Sequence, residues 1–362
     1  MRYYIIGACF ICASVLFYIV VCTDFNNSEG TPAAFRKETA VDDPLESVKI
    51  LLWTKVFNSW HEQFPSDRSD LIFNNCKVPC FVTRNRSLVR TVDAILIHDR
   101  DADATDLPKY RAAHQRWVYW NWESPANSRI KHMKKLADVF NWTYTYRRDS
   151  DVPYPYFYIR RRALIQSGDL PFTTSLNRSK PVVWAASNCK ASSGRMEFVT
   201  ELRKHIPVDI YGYCGDLKCP RGPDCLASFG KRYYFYLSLE NSICPDYVTE
   251  KFYNALLYGM VPVVFGNYSE YGPPGSYINA LDFPSPKDVA EYLKAVAADP
   301  PRYQQYFAWK RTHVVSTNSF TNHCALCEAL HKARPEDRKV YKDIIDWWHG
   351  NGSLCPSWKP VE

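Results

Sequence analysis

Residues 234–266 read YFYLSLENSICPDYVTEKFYNALLYGMVPVVFG and contain a strand, a loop, a helix and a second strand. The apolar run 234–239 has the length and composition of a buried strand, and a polar loop follows it. Asp246 can cap a helix over 247–258, and Gly259 is a typical residue at a helix C-terminus. The run VPVVFG then predicts the next strand. Strands that alternate with helices in this way are typical of parallel α/β sheets.

Polar side chains surround the point where this strand ends and the helix begins. Asn241 follows the strand, while Glu250 and Lys251 belong to the first turns of the predicted helix. Free backbone N–H groups at a helix N-terminus favour anions, and Lys251 adds a full positive charge. Glu250 can accept hydroxyl donors or face a developing cation. The unit therefore predicts a site for an anionic ligand, although a capped helix with surface charges would explain each residue taken singly.

The same alternation extends along the chain on both sides of this unit, so the predicted fold class is α/β. Parallel sheets carry their functional groups in loops at the carboxyl ends of strands, which makes the loop at Glu123 a second candidate site. Further strands are predicted over 48–53, 81–83, 94–97, 118–121, 182–187 and 208–212, and further helices over 196–205, 287–298 and 325–333.

Length and composition exclude several classes of protein. The 362-residue chain is long enough for two domains of about 150 residues. A hydrophobic content of 46% with 23% charged residues excludes a disordered or fibrous protein. The net charge of +7 suits an anionic small substrate. Because no run of five Lys or Arg residues occurs, we expect no nucleic-acid partner.

The amino terminus predicts a membrane anchor. Residues 3–22 carry no charge and follow Arg2, which predicts a transmembrane signal anchor with a cytosolic tail of residues 1–2. A cleaved signal peptide is the alternative, but its small-x-small cleavage site is not evident. The polar segment 23–47 lacks helical periodicity and is predicted to be a stem. The folded part of the chain would then lie in an oxidising lumen.

The cysteines agree with that compartment. Thirteen occur, and Cys9, Cys12 and Cys22 fall in the apolar segment, which leaves an even set of ten that predicts disulfides of undetermined connectivity. Cys324-x-x-Cys327 could also be a redox or zinc motif. Since a second such pair and suitably spaced histidines are missing, a structural disulfide is the favoured interpretation.

Six Asn-x-Ser/Thr sequons also fit a luminal protein. The first, at Asn26, lies in the stem. The glycosylation candidates in the predicted folded part are Asn85, Asn141, Asn177, Asn267 and Asn351.

The 234–266 unit resembles the signature of the α-1,3-fucosyltransferases of glycosyltransferase family 10. That signature reads F-x-L-x-F-E-N-S, then D-Y-V-T-E-K-[FL], then V-P-V-V-x-G, and this chain departs from it at Leu239, where Phe is usual. The resemblance covers about residues 48–330. Further matching elements are Ser187-Asn-Cys with Arg195, the 94–101 segment, Gln115-x-Trp-Val with Glu123-Ser-Pro, Cys76-Lys-Val-Pro-Cys80, and Cys324-x-x-Cys327.

The resemblance implies a GT-B architecture of two Rossmann-like domains that face each other across a cleft. Residues 48–175 would bind the acceptor, and residues 176–362 would bind GDP-fucose. It also implies a type II membrane protein of the Golgi cisternae, which agrees with the predicted anchor in the lipid bilayer. The reaction would transfer L-fucose from GDP-β-L-fucose to the 3-hydroxyl of a GlcNAc-containing glycan with inversion. The choice between core and antennal GlcNAc stays open.

The resemblance also implies roles for particular residues. Glu123 would be the catalytic base, and Glu250 would face the positive charge that develops on the fucose. Arg195 and Lys251 would neutralise the diphosphate without a required metal, with Mn²⁺ at most stimulatory. Glu240 is expected to be a structural carboxylate. The remaining candidates for donor binding are Ser187, Tyr236, Asn241 and Tyr247.

Two other function classes are compatible with parts of the sequence. Asp99-Arg-Asp101 and Asp101-Ala-Asp103 are D-x-D patterns after a strand, and in GT-A glycosyltransferases such carboxylates hold Mn²⁺ with the nucleotide. The second alternative is an inactive, glycan-binding relative that has kept the fold. The presence of every proposed charged site residue argues against loss of activity.

Overall fold

The computed structural model describes residues 47–60, 70–73, 76–128, 134–162, 178–220, 222–266, 268–317, 323–350 and 355–359. All of them belong to one compact unit, Glu46–Glu362. The predicted anchor, the stem up to residue 46 and the sequons at Asn177, Asn267 and Asn351 lie outside this described part. Among the residues that are described, no helix has the length and apolar character needed to cross a bilayer.

The first half of the chain forms a seven-stranded sheet in the order β2-β3-β1-β4-β5-β6-β7. Only β2 runs antiparallel to its neighbour, and the other pairs are parallel. Every residue of β4 and β5 is buried, because helical segments and loops cover both faces of the sheet. The strands are β1 Val48–Leu52, β2 Asp70–Phe73, β3 Cys80–Thr83, β4 Ala94–His98, β5 Arg116–Asn121, β6 Trp142–Thr145 and β7 Val152–Pro153.

The second half forms a parallel five-stranded sheet in the order β10-β9-β11-β12-β13. Its strands are β9 Lys180–Ala185, β10 Val208–Tyr211, β11 Tyr233–Leu237, β12 Val261–Val264 and β13 Ile278–Asn279. Its helices are α1 Arg195–Leu202, α2 Pro223–Arg232, α3 Glu250–Leu257, α4 Pro286–Ala298 and α5 Pro300–Gln305. An antiparallel pair, β8 Phe157–Arg161 with β14 His313–Thr317, accompanies the two sheets.

Both sheets reverse their strand order once. In the first sheet the chain passes from β1 to β3 on one side and then to β4 on the other. In the second sheet it passes from β9 to β10 and then across to β11. Open parallel sheets bind ligands in the crevice at such a switch point, outside the carboxyl ends of the strands. The fold therefore places candidate binding crevices at β1/β4 and at β9/β11.

The last two helices lie within the predicted domain 176–362 but pack against the first sheet. Helix α6, Cys324–Lys332, and helix α7, Ile344–His349, return to the first sheet. Leu326 of α6 joins the core formed by β1 and β4, and Trp348 of α7 packs 5.7 Å from Tyr119 of β5. The physical reason is that the apolar faces of both helices are buried there. The second structural half therefore does not extend to the C-terminus as one segment.

The central helix begins later than the sequence predicts. Helix α3 starts at Glu250, and its N-cap is Thr249, whose side chain accepts the Lys251 N–H. Asp246, the predicted cap, has a left-handed backbone with φ of 62°. Its carboxylate accepts the Arg148 N–H at 2.9 Å and the hydroxyl of Tyr271 instead. The intervening residues are buried in apolar clusters, which stabilises a turn in place of a helical start.

Candidate active site

Two loops meet at the β9/β11 crevice. The Ser193 N–H donates to the carbonyl of Asn241 at 3.2 Å, and the Ser193 hydroxyl donates to the carbonyl of Glu240 at 2.8 Å. Gly194 follows with φ of 75°, and a Cβ there would lie 2.2 Å from the carbonyl oxygen of Trp358. This position needs glycine both for its conformation and for the close approach of the C-terminal segment.

Arg195 joins these loops from the first turn of α1. The side chain is 2% exposed; Nη1 donates to the Leu239 carbonyl at 2.8 Å and Nη2 to the Asn188 carbonyl at 2.7 Å. Burial lowers its pKa, while the nearby Glu240 opposes that shift. Nε has no partner among the described residues. A buried, positively charged N–H group without a partner is suited to an anionic ligand.

Lys251 lies between two carboxylates in the first turn of α3. Its Nζ is 2.9 Å from Glu240 Oε2, 3.3 Å from Glu250 Oε1 and 2.8 Å from Thr249 Oγ1. Burial alone would lower the pKa of Lys251, but the two carboxylates outweigh it and raise the pKa. Lys251 is therefore a stable cation at the helix N-terminus.

Glu240 organises the turn that precedes α3. It is 2% exposed, and its Oε1 accepts the Thr249 N–H at 2.8 Å. Burial raises its pKa, and Lys251 acts in the opposite direction. Because its oxygens are used for the Thr249 cap and the Lys251 ammonium, Glu240 has the geometry of a structural carboxylate. The side chain of Glu250, by contrast, is 52% exposed and available to a ligand.

Glu123 lies at the carboxyl end of β5 in the first sheet. Its N–H donates to Asn121 Oδ1 at 2.9 Å, and its Oε2 accepts from Asn127 Nδ2 at 3.3 Å. The next residue reaches the second sheet, since the Ser124 hydroxyl donates to the Ser242 hydroxyl at 2.8 Å. The Glu123 loop and the loop before α3 are therefore in direct contact.

The remaining donor-binding candidates have different environments. Asn241 is partly exposed in the crevice, and Ser187 is exposed after β9. Tyr247 is 4% exposed and packs 5.1 Å from Tyr146 in the aromatic cluster of the first sheet. Tyr236 is also 4% exposed and packs in the core beneath α3. Both tyrosines are therefore packed in aromatic or apolar clusters, and the more exposed residues are the candidates for direct polar contact.

Sequence reasoning missed the serine contacts that bring the parts together. Ser242 is 1% exposed, accepts from Ser124 and lies 3.4 Å from the Ser192 hydroxyl. The sequence signal was a serine directly after each of the two polar loop positions, Glu123 and Asn241. A serine in a loop is too common to single out without knowing which loops meet.

A cavity of about 690 Å³ occupies the β1/β4 switch point in the first sheet. Aromatic and charged side chains line it. Arg86 stacks on Trp53 with its guanidinium carbon 4.0 Å from the ring centre, and Phe57 is 41% exposed. β5, which ends two residues before Glu123, is the strand next to β4, so the cavity and Glu123 share one edge of the sheet. The other principal lining residues are Trp60, Arg100 and Asp101.

The D-x-D carboxylates do not form a paired site at this edge. Asp101 accepts the N–H groups of Phe57 at 2.8 Å and Asn58 at 2.6 Å, and it lies 2.6 Å from His98 Nδ1. Asp99 is 2% exposed. Across the described ranges, no group of three or more His, Cys, Asp or Glu side chains has the arrangement of a metal site. Asp101 is therefore engaged by groups of the first sheet, and a donor site without a metal stays a prediction.

Five disulfides connect all ten cysteines of the described part. They confirm the four disulfide candidates and resolve the connectivity, which is Cys76–Cys324, Cys80–Cys327, Cys189–Cys214, Cys219–Cys225 and Cys244–Cys355. The two cysteines of the C-x-x-C motif bind different partners, so the motif is neither a redox pair nor a zinc site. Both bonds attach α6 to the first sheet.

Two of the predicted glycosylation sites lie in the described part, and they differ. Asn85 is exposed and caps a short 3₁₀ helix. Asn141 is fully buried; Oδ1 accepts from the Trp117 N–H at 2.9 Å and from Arg111, and Nδ2 donates to the Lys339 carbonyl at 2.7 Å. In the folded chain the Asn141 amide is therefore used for hydrogen bonds inside the core, and a glycan at this sequon stays a prediction.

Two protein-family models match the chain. The model described as "Fucosyltransferase, N-terminal" matches residues 45–157, and "Glycosyltransferase family 10 (fucosyltransferase) C-term" matches residues 175–347. Together the two matches span well over half of the chain.

Characterised relatives agree with the family models. The chain is 38% identical over 307 residues to glycoprotein 3-alpha-L-fucosyltransferase A of Drosophila melanogaster; the match covers 80% of this chain and 59% of that enzyme. It is 35% identical over 338 residues to alpha-(1,3)-fucosyltransferase C of the same organism, covering 84% and 78%. A human 4-galactosyl-N-acetylglucosaminide 3-alpha-L-fucosyltransferase is 34% identical over 336 residues, covering 88% and 85%. The chain thus spans less than two thirds of the length of the first of these enzymes.

A solved structure shares the fold. A crystal structure of an alpha1,3-fucosyltransferase with GDP-fucose superimposes with a TM-score of 0.53 at 15% identity, covering 85% of this chain and 96% of that one. At this identity the likeness concerns the α/β architecture alone. The two family models and the relatives above 30% identity establish that the chain belongs to the fucosyltransferases of glycosyltransferase family 10.

Proposed function

We propose that this fucosyltransferase transfers L-fucose from GDP-β-L-fucose to the 3-hydroxyl of GlcNAc in a glycan, with inversion at the anomeric carbon. The observation that carries the proposal is the meeting of the Glu123 loop with the two cationic loops of the second sheet, through Ser124 and Ser242. The names of the relatives support the same reaction. A base and an anion site in contact are what a direct displacement of a nucleoside diphosphate needs.

Glu123 acts as the base in this proposal. Its carboxylate takes the proton of the acceptor hydroxyl while that oxygen attacks the anomeric carbon from the side opposite the diphosphate. Backbone contact with Asn121 and side-chain contact with Asn127 hold the carboxylate in one orientation. Such orientation matters because the reacting atoms must stay within hydrogen-bond reach of the base.

The departing diphosphate is stabilised by charges from two different loops. Arg195 presents its unpartnered Nε, and Lys251 presents its ammonium at the N-terminus of α3. The partial positive charge of the helix N-terminus adds to both. Glu250, which is half-exposed beside Lys251, faces the positive charge that develops on the fucose ring. Asn241 and Ser187 offer polar contacts to the donor's phosphate and sugar groups.

The acceptor binds along the first sheet. The cavity at the β1/β4 switch point provides aromatic faces and charged groups of both signs, which is the composition expected of a carbohydrate site. Two sheets with one switch point each, one for the acceptor and one for the donor, constitute a GT-B-like arrangement.

The compartment and the metal requirement are parts of the same proposal. Residues 3–22 anchor the chain in the Golgi membrane as a type II protein, with the catalytic part in the lumen. Five disulfides support an oxidising compartment. Arg195 and Lys251 supply the positive charge that a metal ion supplies elsewhere, so the donor site needs no metal.

An acceptor panel tests the proposed function. The purified luminal chain is incubated with labelled GDP-fucose and N-glycans, LacNAc or LacdiNAc, and the linkage in the product is determined by NMR. We expect an α-1,3-fucoside on GlcNAc with at least one acceptor. Stoichiometric GDP-fucose binding without transfer to any acceptor would instead favour an inactive glycan-binding relative.

A further inference from the structure

A buried acid that the proposed chemistry does not use lies behind the Glu123 loop. Asp99 follows β4 and is 2% exposed, and burial raises its pKa. Neither of its carboxyl oxygens has a hydrogen-bond partner among the described residues. A buried acid is costly unless a donor satisfies it, so its neighbours indicate what it does.

The strand register places Asp99 beside two residues of β5. Ile97 of β4 pairs with Tyr119 of β5, and side chains along a strand alternate between the two faces. Asp99, Tyr119 and Asn121 therefore share one face of the sheet. Helix α7 covers this face, and its Trp348 ring packs against Tyr119.

Asn121 connects this buried face to Glu123. Its Oδ1 accepts the Glu123 N–H at 2.9 Å, while its Nδ2 donates to Tyr119 at 3.1 Å and to Ser128 at 3.2 Å. Since the Glu123 N–H can only donate, the amide of Asn121 must keep its oxygen on that side. Groups that orient the hydroxyls of Tyr119 and Ser128 therefore also orient the Asn121 side-chain amide.

The two hydroxyls differ in the acceptors that their protons already have among the described residues. The Ser128 hydroxyl accepts from Trp348 Nε1 at 2.7 Å and from Asn121, and it donates to the Ser124 carbonyl at 3.3 Å. Its single donor and both lone pairs take part in these contacts, and the hydroxyl also lies close enough to Asp99 to lower the pKa of that acid. The hydroxyl of Tyr119 accepts from Asn121 and keeps its own proton.

Asp99 and Tyr119 are complementary, since one lacks a donor and the other has a proton to donate. They are close enough to act on each other. Burial has the largest effect on both pKa values; beyond it, Asp99 raises the pKa of Tyr119, and Tyr119 lowers that of Asp99, as do His98, Arg100 and Ser128. We propose that Asp99 is a positioning residue for Glu123, because it accepts the Tyr119 proton, turns the phenol lone pair toward Asn121 and so holds Asn121 Oδ1 on the Glu123 N–H. This inference rests on the proposed role of Glu123 as the base.

A double-mutant cycle tests the connection. We expect Asp99→Ala and Tyr119→Phe each to lower kcat about tenfold, with KM for GDP-fucose unchanged within about twofold, and the double variant to be no slower than the worse single variant. Asp99→Asn keeps an acceptor oxygen and should retain kcat within about threefold. Asp103→Asn is the matched control, because Asp103 is an exposed acid of the same loop whose carboxylate accepts from nearby Thr105.

Folded single variants with wild-type kcat would overturn the proposal, as would losses that simply multiply in the double variant. Equal losses in kcat and in donor affinity would point to general damage to the fold and would count against the proposal as well.

Crystal structures of Asp99→Ala and Asp99→Asn give a readout that does not depend on the reaction. We expect the contact between Asn121 Oδ1 and Glu123 N to be lost in the alanine variant and kept in the asparagine variant. If the contact persists in both variants, the proposal is wrong, even if the transferase activity is confirmed. If the contact is lost only in the alanine variant, the proposal stands, even if the acceptor assay fails.

Discussion

The Ser124 hydroxyl lies 2.8 Å from the Ser242 hydroxyl and joins the loop after β5 to the loop before α3. Both side chains are buried. This hydrogen bond brings Glu123 of the first sheet next to Asn241 of the second. The active site proposed above depends on that proximity, because the base and the anion-binding groups come from different halves of the chain.

Replacing Ser124 with Ala should lower kcat/KM for the acceptor about fivefold, since a net hydrogen bond contributes about 1 kcal/mol. The melting temperature should change little. Ser228→Ala is the matched control, because the Ser228 hydroxyl donates within α2 to Cys225. If both serine variants behave alike, the link between the loops does not matter for turnover.

Glu123→Gln should lower kcat by about 10²-fold or more, because an amide cannot take the proton from the hydroxyl group of the sugar acceptor. The affinity for GDP, measured by calorimetry, should stay near that of the wild type. Glu291→Gln provides a control at a carboxylate on α4 that is 61% exposed. Turnover by the Glu123 variant at the wild-type rate would remove this residue from the mechanism.

Arg195→Lys should be damaging although it keeps the charge. A lysine lacks the planar fork whose two arms now join the carbonyls of Leu239 and Asn188, and its compact ammonium has no group in the place of Nε. We expect kcat/KM with GDP-fucose to fall by the equivalent of about 2–4 kcal/mol. Arg203→Lys, at the exposed end of α1, is the control. Full GDP affinity and turnover in an Arg195→Ala variant would move the donor site elsewhere.

Chelation with EDTA should leave substantial activity, since Arg195 and Lys251 provide the charge at the leaving diphosphate. Added Mn²⁺ should raise the rate modestly by pairing with released GDP. The comparison is made at constant ionic strength, because anion binding by surface charges is sensitive to salt. Complete loss of activity with EDTA and full recovery with Mn²⁺ would contradict a metal-independent donor site.

His323 should make the fold sensitive to acid. Burial lowers its pKa from 6.5 to about 4, and its ring packs against Trp120 and Tyr144. The folded state thus keeps His323 neutral while the unfolded state binds a proton below about pH 6.5, so the free energy of unfolding should fall as the pH drops from about 6.5 to 4. The full effect is about 3 kcal/mol.

Urea unfolding of the wild type and of His323→Phe at several pH values measures this effect. The variant should lose that part of the pH dependence. An identical pH dependence in the two proteins would show that His323 is not the group responsible.

Local patterns of the chain predicted most of the elements and several site residues. The alternation of apolar runs with polar loops is a property of neighbouring residues, so β1, β4, β5 and β12 were predictable to within about two residues. The same holds for the charged groups after β11. The start of α3 was mispredicted because Tyr247 and Val248 are buried against distant clusters, which local capping rules do not include.

The sequence by itself determined the fold class, the even set of disulfide-forming cysteines and the charged residues of the proposed donor site, because each depends on residue type and short spacing. Only the tertiary structure decided which groups meet. It paired Ser124 with Ser242, returned α6 and α7 to the first sheet and buried Asn141 inside the core. These outcomes depend on contacts between residues far apart in the chain, and such contacts form where apolar faces and hydrogen-bonding groups are satisfied together in three dimensions.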